Sequence, residues 1–319
     1  MAERTVSNHF YCYTVFCFPL SAFRFPLSAN CQLLSMKFGD YQIEIIPDAE
    51  FRLDGGAMFG VVPRVLWERV CPPDEFNRIR LNMNCLFVET PTEKILVETG
   101  IGEKWTEREI KIYGIFRRKS FAETLFEKTG CTTEEISIVV NTHLHFDHAG
   151  GNTISDKDEN PIPQFPNARY FVSKSEYEHA ENPHERDRAS YLSENWRPLI
   201  ESGQIELKPD EYEVVEGLRM EKTRGHNASM QTFRLERGGE TLFGFADLIP
   251  TRHHLPLAWI MGYDLYPAET LEAKKILLPL AARENWLCFF YHDYDTPLCR
   301  LTEKEGKFFC EELPSRIIK

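Results

Sequence analysis

Residues 141 to 151 read NTHLHFDHAGG, which places His143, His145, Asp147 and His148 within six positions. Imidazole nitrogens and carboxylate oxygens are the donors that bind divalent transition metals. One hydrolytic zinc ion takes three protein ligands and keeps a position open. Four donors on one short loop do not easily converge on a single ion. Two ions about 3.5 to 4 Å apart accommodate them, provided that more ligands, including a carboxylate able to bridge, arrive from elsewhere in the chain.

Strand ends supply those ligands. The apolar run ISIVV (136–140) leads into the cluster, TRGHNAS puts His226 just after a strand at 218–223, FGFADLIPT puts Asp247 after TLFGFA, and FFYHDYD puts His292 after WLCFFY. Strands alternate their faces, so extension past Thr142 would point His143, His145 and Asp147 the same way. His148 then needs a turn, which Ala149-Gly150-Gly151 suits. Thr142 and Asp293 are candidates for orienting the imidazoles. Metal binding lowers the pKa of water toward about 7, so a hydroxide bridging two ions is a nucleophile at neutral pH. It would attack an ester, lactone, amide or phosphoester, with Asp147 or Asp247 passing the proton to the leaving group. A His-rich, carboxylate-poor donor set suits zinc first, with iron, manganese or cobalt as other occupants.

At these positions the chain resembles the metallo-β-lactamase superfamily. The HxHxDH signature matches at His143, His145, Asp147 and His148, and the later His, Asp and His match in order at 226, 247 and 292. The resemblance spans about residues 40 to 295 and implies an α/β fold, a four-layer αββα sandwich with the metals at one edge of its β-layers. It also implies that His143, His145 and His226 hold one metal, that Asp147, His148 and His292 hold the other, and that Asp247 bridges. His145, where the flavodiiron type has Glu, and Asp247, where some β-lactamases have Cys or Ser, set the chain apart from those branches. HLHFDHAGGN, with 21 residues from His226 to Asp247 and 45 from Asp247 to His292, is most similar to N-acyl homoserine lactonases and related organophosphate hydrolases. The implied function is hydrolysis of a lactone or other carboxylic ester. A glyoxalase II-like thioesterase, an organophosphate hydrolase and a mononuclear-iron oxidoreductase like the persulfide dioxygenases are the alternatives. Lactonases of that group carry a tyrosine three residues after the bridging Asp, where this chain has Pro250. Assistance to the oxyanion then falls to Tyr263, His253, His254 or the metal.

Two stretches qualify as pocket walls because they combine apolar bulk with a few polar groups. PTRHHLPLAWIMGYD (250–264) offers His253, His254, Trp259, Met261 and Tyr263, and GGAMFGVVPRVLW (55–67) offers Met58, Phe59 and Trp67. His9, His179 and His184 have no partner pattern and are expected to be surface or locally satisfied residues.

The elements that position these groups alternate. LNMNCLFVE and KILVETG are expected to pair as strands across TPTE. SFAETLFEKTG is expected to be a helix, with Ser120 and Glu123 in capping-box spacing, a stripe of Phe121, Leu125 and Phe126, and Gly130 as a stop. ARYFV is expected to be a strand and SKSEYEHAE a helix, again with a box at Ser173 and Glu176. A last helix is expected from about Ala268 to Glu284, and the polar segment from about 155 to 212 is an elaboration on the core.

A chain of 319 residues with 42% hydrophobic and 27% charged residues is globular rather than disordered. Its net charge of −12 argues against nucleic-acid and membrane partners and favours a small-molecule substrate, with homo-oligomerisation left open. RRK (117–119) is expected to be a solvated turn. Nine scattered cysteines without a CxxC pair fit reduced thiols in a cytoplasmic enzyme. Residues 1–35, with FPLSA twice, are broken by Pro19, Arg24 and Pro26 and make a poor signal peptide. They are expected to be an extension outside a hydrolase domain over 36–319.

Overall fold

A computed structural model describes residues 36–313, so the expectations for residues 1–35, His9 included, lie outside the described residues. The first half of the chain forms β1 (Met36–Phe38), β2 (Tyr41–Asp54), β3 (Arg78–Glu89), β4 (Lys94–Val97), β5 (Ile138–Val140), β6 (Thr153–Ser155), β7 (Pro161–Pro163), β8 (Arg169–Ser173) and β9 (Ile205–Lys208). The second half forms β10 (Tyr212–Val215), β11 (Leu218–Lys222), β12 (Gln231–Arg237), β13 (Glu240–Gly244), β14 (Leu287–Phe289), β15 (Leu298–Lys304) and β16 (Lys307–Glu312). Two seven-stranded sheets result, in the orders β1-β2-β3-β4-β5-β8-β9 and β10-β11-β12-β13-β14-β15-β16, and β6 and β7 pair separately. The helices are α1 (Gly55–Phe59), α2 (Arg64–Trp67), α3 (Glu107–Tyr113), α4 (Phe121–Thr129), α5 (Phe146–Ala149), α6 (Lys174–Glu181), α7 (Arg197–Glu201) and α8 (Pro267–Arg283).

Strand periodicity separates two apolar layers. Leu242, Leu287 and Phe289 join the core shared with Ile43, Leu86 and Val88 of the first sheet. Their neighbours Phe243 and Cys288 face the other way and pack with Leu278 and Ala281 of α8. This is the αββα sandwich, with β3–β4 paired antiparallel as expected and Cys85 and Cys288 buried as small core residues.

Three local expectations need correction. Phe126 is 57% exposed, because α4 turns only Phe121 and Leu125 to the core; its capping box and the left-handed Gly130 stop are present. Arg117 is not solvated: it grips the buried Asp48 at 2.6 Å, and Asp48 also accepts the Ile101 N–H at 2.9 Å. Cys299 and Cys310, on adjacent strands β15 and β16, are joined in a disulfide where reduced thiols were expected. Among the described residues no helix is long and apolar enough to cross a membrane.

Candidate metal centre

β4, β5 and β8 run parallel, so their carboxyl ends share one edge of the first sheet. The chain does not stay extended past Thr142 as expected. It leaves β5 at Val140, and from His145 a helical turn takes over, with His148 N–H and Ala149 N–H both bonded to the His145 carbonyl at 3.0 and 2.9 Å. That turn, rather than strand alternation, sets the directions of Asp147 and His148. Gly150 and Gly151 follow because the backbone is crowded: a Cβ at either position would lie 2.2 or 2.1 Å from the carbonyl oxygen of Ile101 or Thr99. These carbonyls belong to the loop held by Asp48.

The second sheet supplies the rest from its own strand ends. His226 follows β11, Asp247 sits on a single turn after β13, and His292 follows β14. Ala246, just before Asp247, has φ +46°, a conformation that L residues with a Cβ adopt only under constraint.

All seven expected ligands are buried and meet. Donor atoms of His143, His145 and His226 lie within 4.8 Å of one another, and so do those of Asp147, His148 and His292. Asp247 faces both trios: Oδ1 is 3.1 Å from His148 Nε2 and 3.2 Å from His292 Nε2, while Oδ2 is 3.4 Å from His226 Nε2. His143 Nε2 and His145 Nε2 are buried without a hydrogen-bond partner, and His148 Nε2 and Asp247 Oδ1, although 3.1 Å apart, do not meet in hydrogen-bond geometry. Leaving such groups unpaired costs about 1 to 3 kcal/mol each, so this donor set fits cations held between the trios.

The opposite nitrogens are held by the protein. Thr142 Oγ1 lies 3.0 Å from His143 Nδ1, Glu98 Oε1 lies 3.3 Å from His148 Nδ1, Asp264 Oδ1 lies 3.1 Å from His226 Nδ1, and the Asn82 carbonyl lies 3.0 Å from His292 Nδ1. Thr142 takes the role expected of it. Asp293 does not, because its carboxylate is taken up by Arg252 and by the backbone of Thr296. Burial and neighbouring imidazoles hold His143 and His145 well below the usual histidine range. Burial would also depress His148, but the carboxylates of Asp247 and Glu98 raise it. Burial would raise Asp247, yet His148, His292 and His226 hold it well below the usual carboxylate range.

Sequence reasoning missed Glu98, Glu176 and Asp264. Glu98 directly follows β4 at the sheet edge that carries the 143–148 loop, so the strand-end rule would have found it. Glu176 was hidden by its spacing: Ser173 does cap its N–H, but the Glu176 side chain leaves the expected box. It is fully buried and accepts the Leu144 N–H at 2.8 Å, the Tyr191 hydroxyl at 3.0 Å and the Ser229 hydroxyl at 2.6 Å. The segment taken as an elaboration thus supports the histidine loop.

A cleft of about 220 Å³ opens on His145, Asp147, His226, Asp247 and His292. Of the expected wall residues, Met58, Met261 and Tyr263 line it, together with Leu53, Tyr113, Phe146 and Arg186, which were not foreseen. Phe59, Trp67, His254 and Trp259 do not. Phe59 stacks on His254 and Trp67 with centroids 4.7 and 5.4 Å apart and meets Trp259 edge-on, so the two loops spend these rings on joining each other. His254 is buried, with its nitrogens 2.9 Å from the Met58 carbonyl and 2.8 Å from Thr251 Oγ1. His253 lines a separate cavity beside Cys71 and Asp293. His179 bonds Asp187 at 2.8 Å, as a locally satisfied residue should.

The chain is similar to known proteins in sequence and fold. A model of the metallo-beta-lactamase superfamily matches residues 79–292, more than half of the chain. An N-acyl homoserine lactonase of Bacillus cereus is 29% identical over 234 residues, covering 69% of this chain and 84% of that protein. A probable metal-dependent hydrolase from Staphylococcus aureus superposes with a TM-score of 0.79 at 27% identity, over 88% of this chain and 100% of its own. AidC, a dizinc quorum-quenching lactonase, superposes with a TM-score of 0.72 at 22% identity, over 88% of this chain and 97% of its own, a likeness of fold.

Proposed function

From a chain that belongs to the metallo-beta-lactamase superfamily and is a metal-dependent hydrolase, we propose an enzyme that opens lactones or cleaves related carboxylic esters with two divalent ions, zinc by preference. The observation that carries this reading is Asp247, whose two oxygens address two separate trios of donors at the floor of one cleft. His143, His145 and His226 would hold one ion, Asp147, His148 and His292 the other, and Asp247 both. When bound, the ions would bring the pKa of water toward about 7 and polarise the ester carbonyl.

The chain's own groups do the rest. Asp247, fixed among three imidazoles and acidified by them, is a poor proton acceptor. Asp147, which lines the cleft with Oδ2 3.6 Å from His292 Nε2, carries the proton from water to the leaving alkoxide oxygen. Burial pushes the Tyr263 phenol up to about 12, so its hydroxyl stays protonated and can donate to the carbonyl oxygen as charge develops there. With His253 and His254 directed elsewhere, Tyr263 takes the place left by Pro250. Leu53, Met58, Phe146 and Met261 give the substrate an apolar wall.

The test is a panel of lactones, aliphatic esters, thioesters and phosphotriesters on purified protein of measured metal content. Two zinc ions per chain with lactone or ester turnover is the expected result. Turnover confined to thioesters or phosphotriesters would move the assignment to those classes. One iron per chain and no ester turnover would overturn it.

A further inference from the structure

The cleft has one basic side chain of the Lys/Arg type among the residues that line it, Arg186. Its side chain is exposed and has no ionic partner among the described residues. Among the described residues no carboxylate lies within 4.0 Å of the guanidinium, although the chain has 49 acidic against 37 basic residues. Its sequence neighbour Asp187 is committed to His179 at 2.8 Å. Asp147 and Asp247 sit among the histidines at the cleft floor.

Arg186 is nevertheless aimed. Its backbone N–H bonds His184 Nδ1 at 3.1 Å, which fixes the turn it stands on, and Nη2 donates to the Gly262 carbonyl between Met261 and Tyr263. A guanidinium has five N–H donors in a rigid fork. One holds the opposite wall of the cleft, leaving a full positive charge and further donors at its mouth. A carboxylate is the planar, two-oxygen group that such a fork accepts best.

Resting on the ester-hydrolase reading, we infer that Arg186 is a specificity residue and that the substrate is a small lactone or ester bearing a carboxylate. The carboxylate meets Arg186 while the ester carbonyl reaches the donors at the floor. A cleft of about 220 Å³ favours a compact acid over a long acyl chain.

The experiment compares the metal-loaded wild type with Arg186→Gln and Arg186→Lys. Substrates are 5-oxotetrahydrofuran-2-carboxylate and its neutral carboxamide. Titration calorimetry uses tetrahydrofuran-2-carboxylate and its carboxamide, which cannot be opened. The wild type should prefer the acid by at least about tenfold in kcat/KM and in Kd, as expected for a charge-assisted hydrogen bond. Arg186→Gln should erase that ratio through KM, and Arg186→Lys should keep part of it. An unchanged ratio in Arg186→Gln overturns the inference. Turnover of both lactones without a charge preference removes this inference and leaves the ester reading standing. A charge preference in Kd that Arg186→Gln abolishes, with no turnover of either lactone, keeps the anion site and removes the ester reading.

Discussion

The Glu176 carboxylate accepts the backbone N–H of Leu144 at 2.8 Å, between His143 and His145. Its other oxygen takes the Ser229 hydroxyl at 2.6 Å and the Asn227 amide at 3.3 Å, just beyond His226. One carboxylate on α6 therefore ties together two of the loops that present histidines. Glu176→Gln would turn an amide donor toward groups that are themselves donors. The expected outcome is a loss of about 1 to 3 kcal/mol in stability, measured by denaturant unfolding. Metal affinity should also fall by about 10- to 100-fold in chelator competition. Unaltered affinity would show that the loop holds its shape without Glu176.

Asp247→Asn removes the carboxylate that faces both trios. Metal content should drop below two ions per chain. Activity should fall by more than the roughly 10- to 100-fold that loss of an outer partner costs. Elemental analysis beside initial rates checks both, and a variant that retains two ions and wild-type turnover refutes the bridging role.

Tyr263→Phe keeps the ring on the cleft wall and deletes the hydroxyl. If that hydroxyl donates to developing charge, kcat should fall by about 10² with KM little changed. A loss seen in KM alone would assign Tyr263 to substrate packing instead.

His179 gives a pH dependence with a definite sign. Its hydrogen bond to Asp187 raises its pKa above the ordinary 6.5, against partial burial, which lowers it. The pair therefore adds stability that is fully present below about pH 6.5 and is lost as pH rises through the raised value. Urea unfolding of wild type and His179→Gln across pH 5 to 9 should give a difference that shrinks as pH rises. A constant difference contradicts the assignment.

Gly151→Ala places a methyl group 2.1 Å from the Thr99 carbonyl oxygen, well inside contact distance. The loops at 99–102 and 148–151 must then separate. Thermal unfolding should move down together with metal affinity, because His148 is carried on the same turn. Retention of both would mean that the loops can part freely.

Parts of this architecture were legible in the residues themselves. Short strand-like runs followed within a few residues by His or Asp marked β5, β11, β13 and β14 as strands with donors after their ends, because alternation and burial act within a few residues. The capping box at Ser120 and Glu123 was equally local. The same rule misread Glu176, since spacing says where a side chain can reach and not which partner wins. At Ser173 a buried carboxylate with several donors outweighed a solvated cap. Phe59, Trp67, His254 and Trp259 failed as wall residues for a related reason: composition marks a segment as apolar and polar, while packing decides which of its faces meets the cleft.

The sequence by itself determined which side chains can bind a metal and that they follow strands, since ligand chemistry and strand period are properties of residues and their near neighbours. Only the tertiary structure decided that Asp247 faces both trios, that Glu98 and Asp264 hold ligand imidazoles while Glu176 holds the loops that carry them, and that Arg186 stands at the mouth. Those relations join residues from 21 to 99 positions apart. They are fixed by how two sheets stack and by which buried polar groups find partners, and neither is encoded in any short window of the chain.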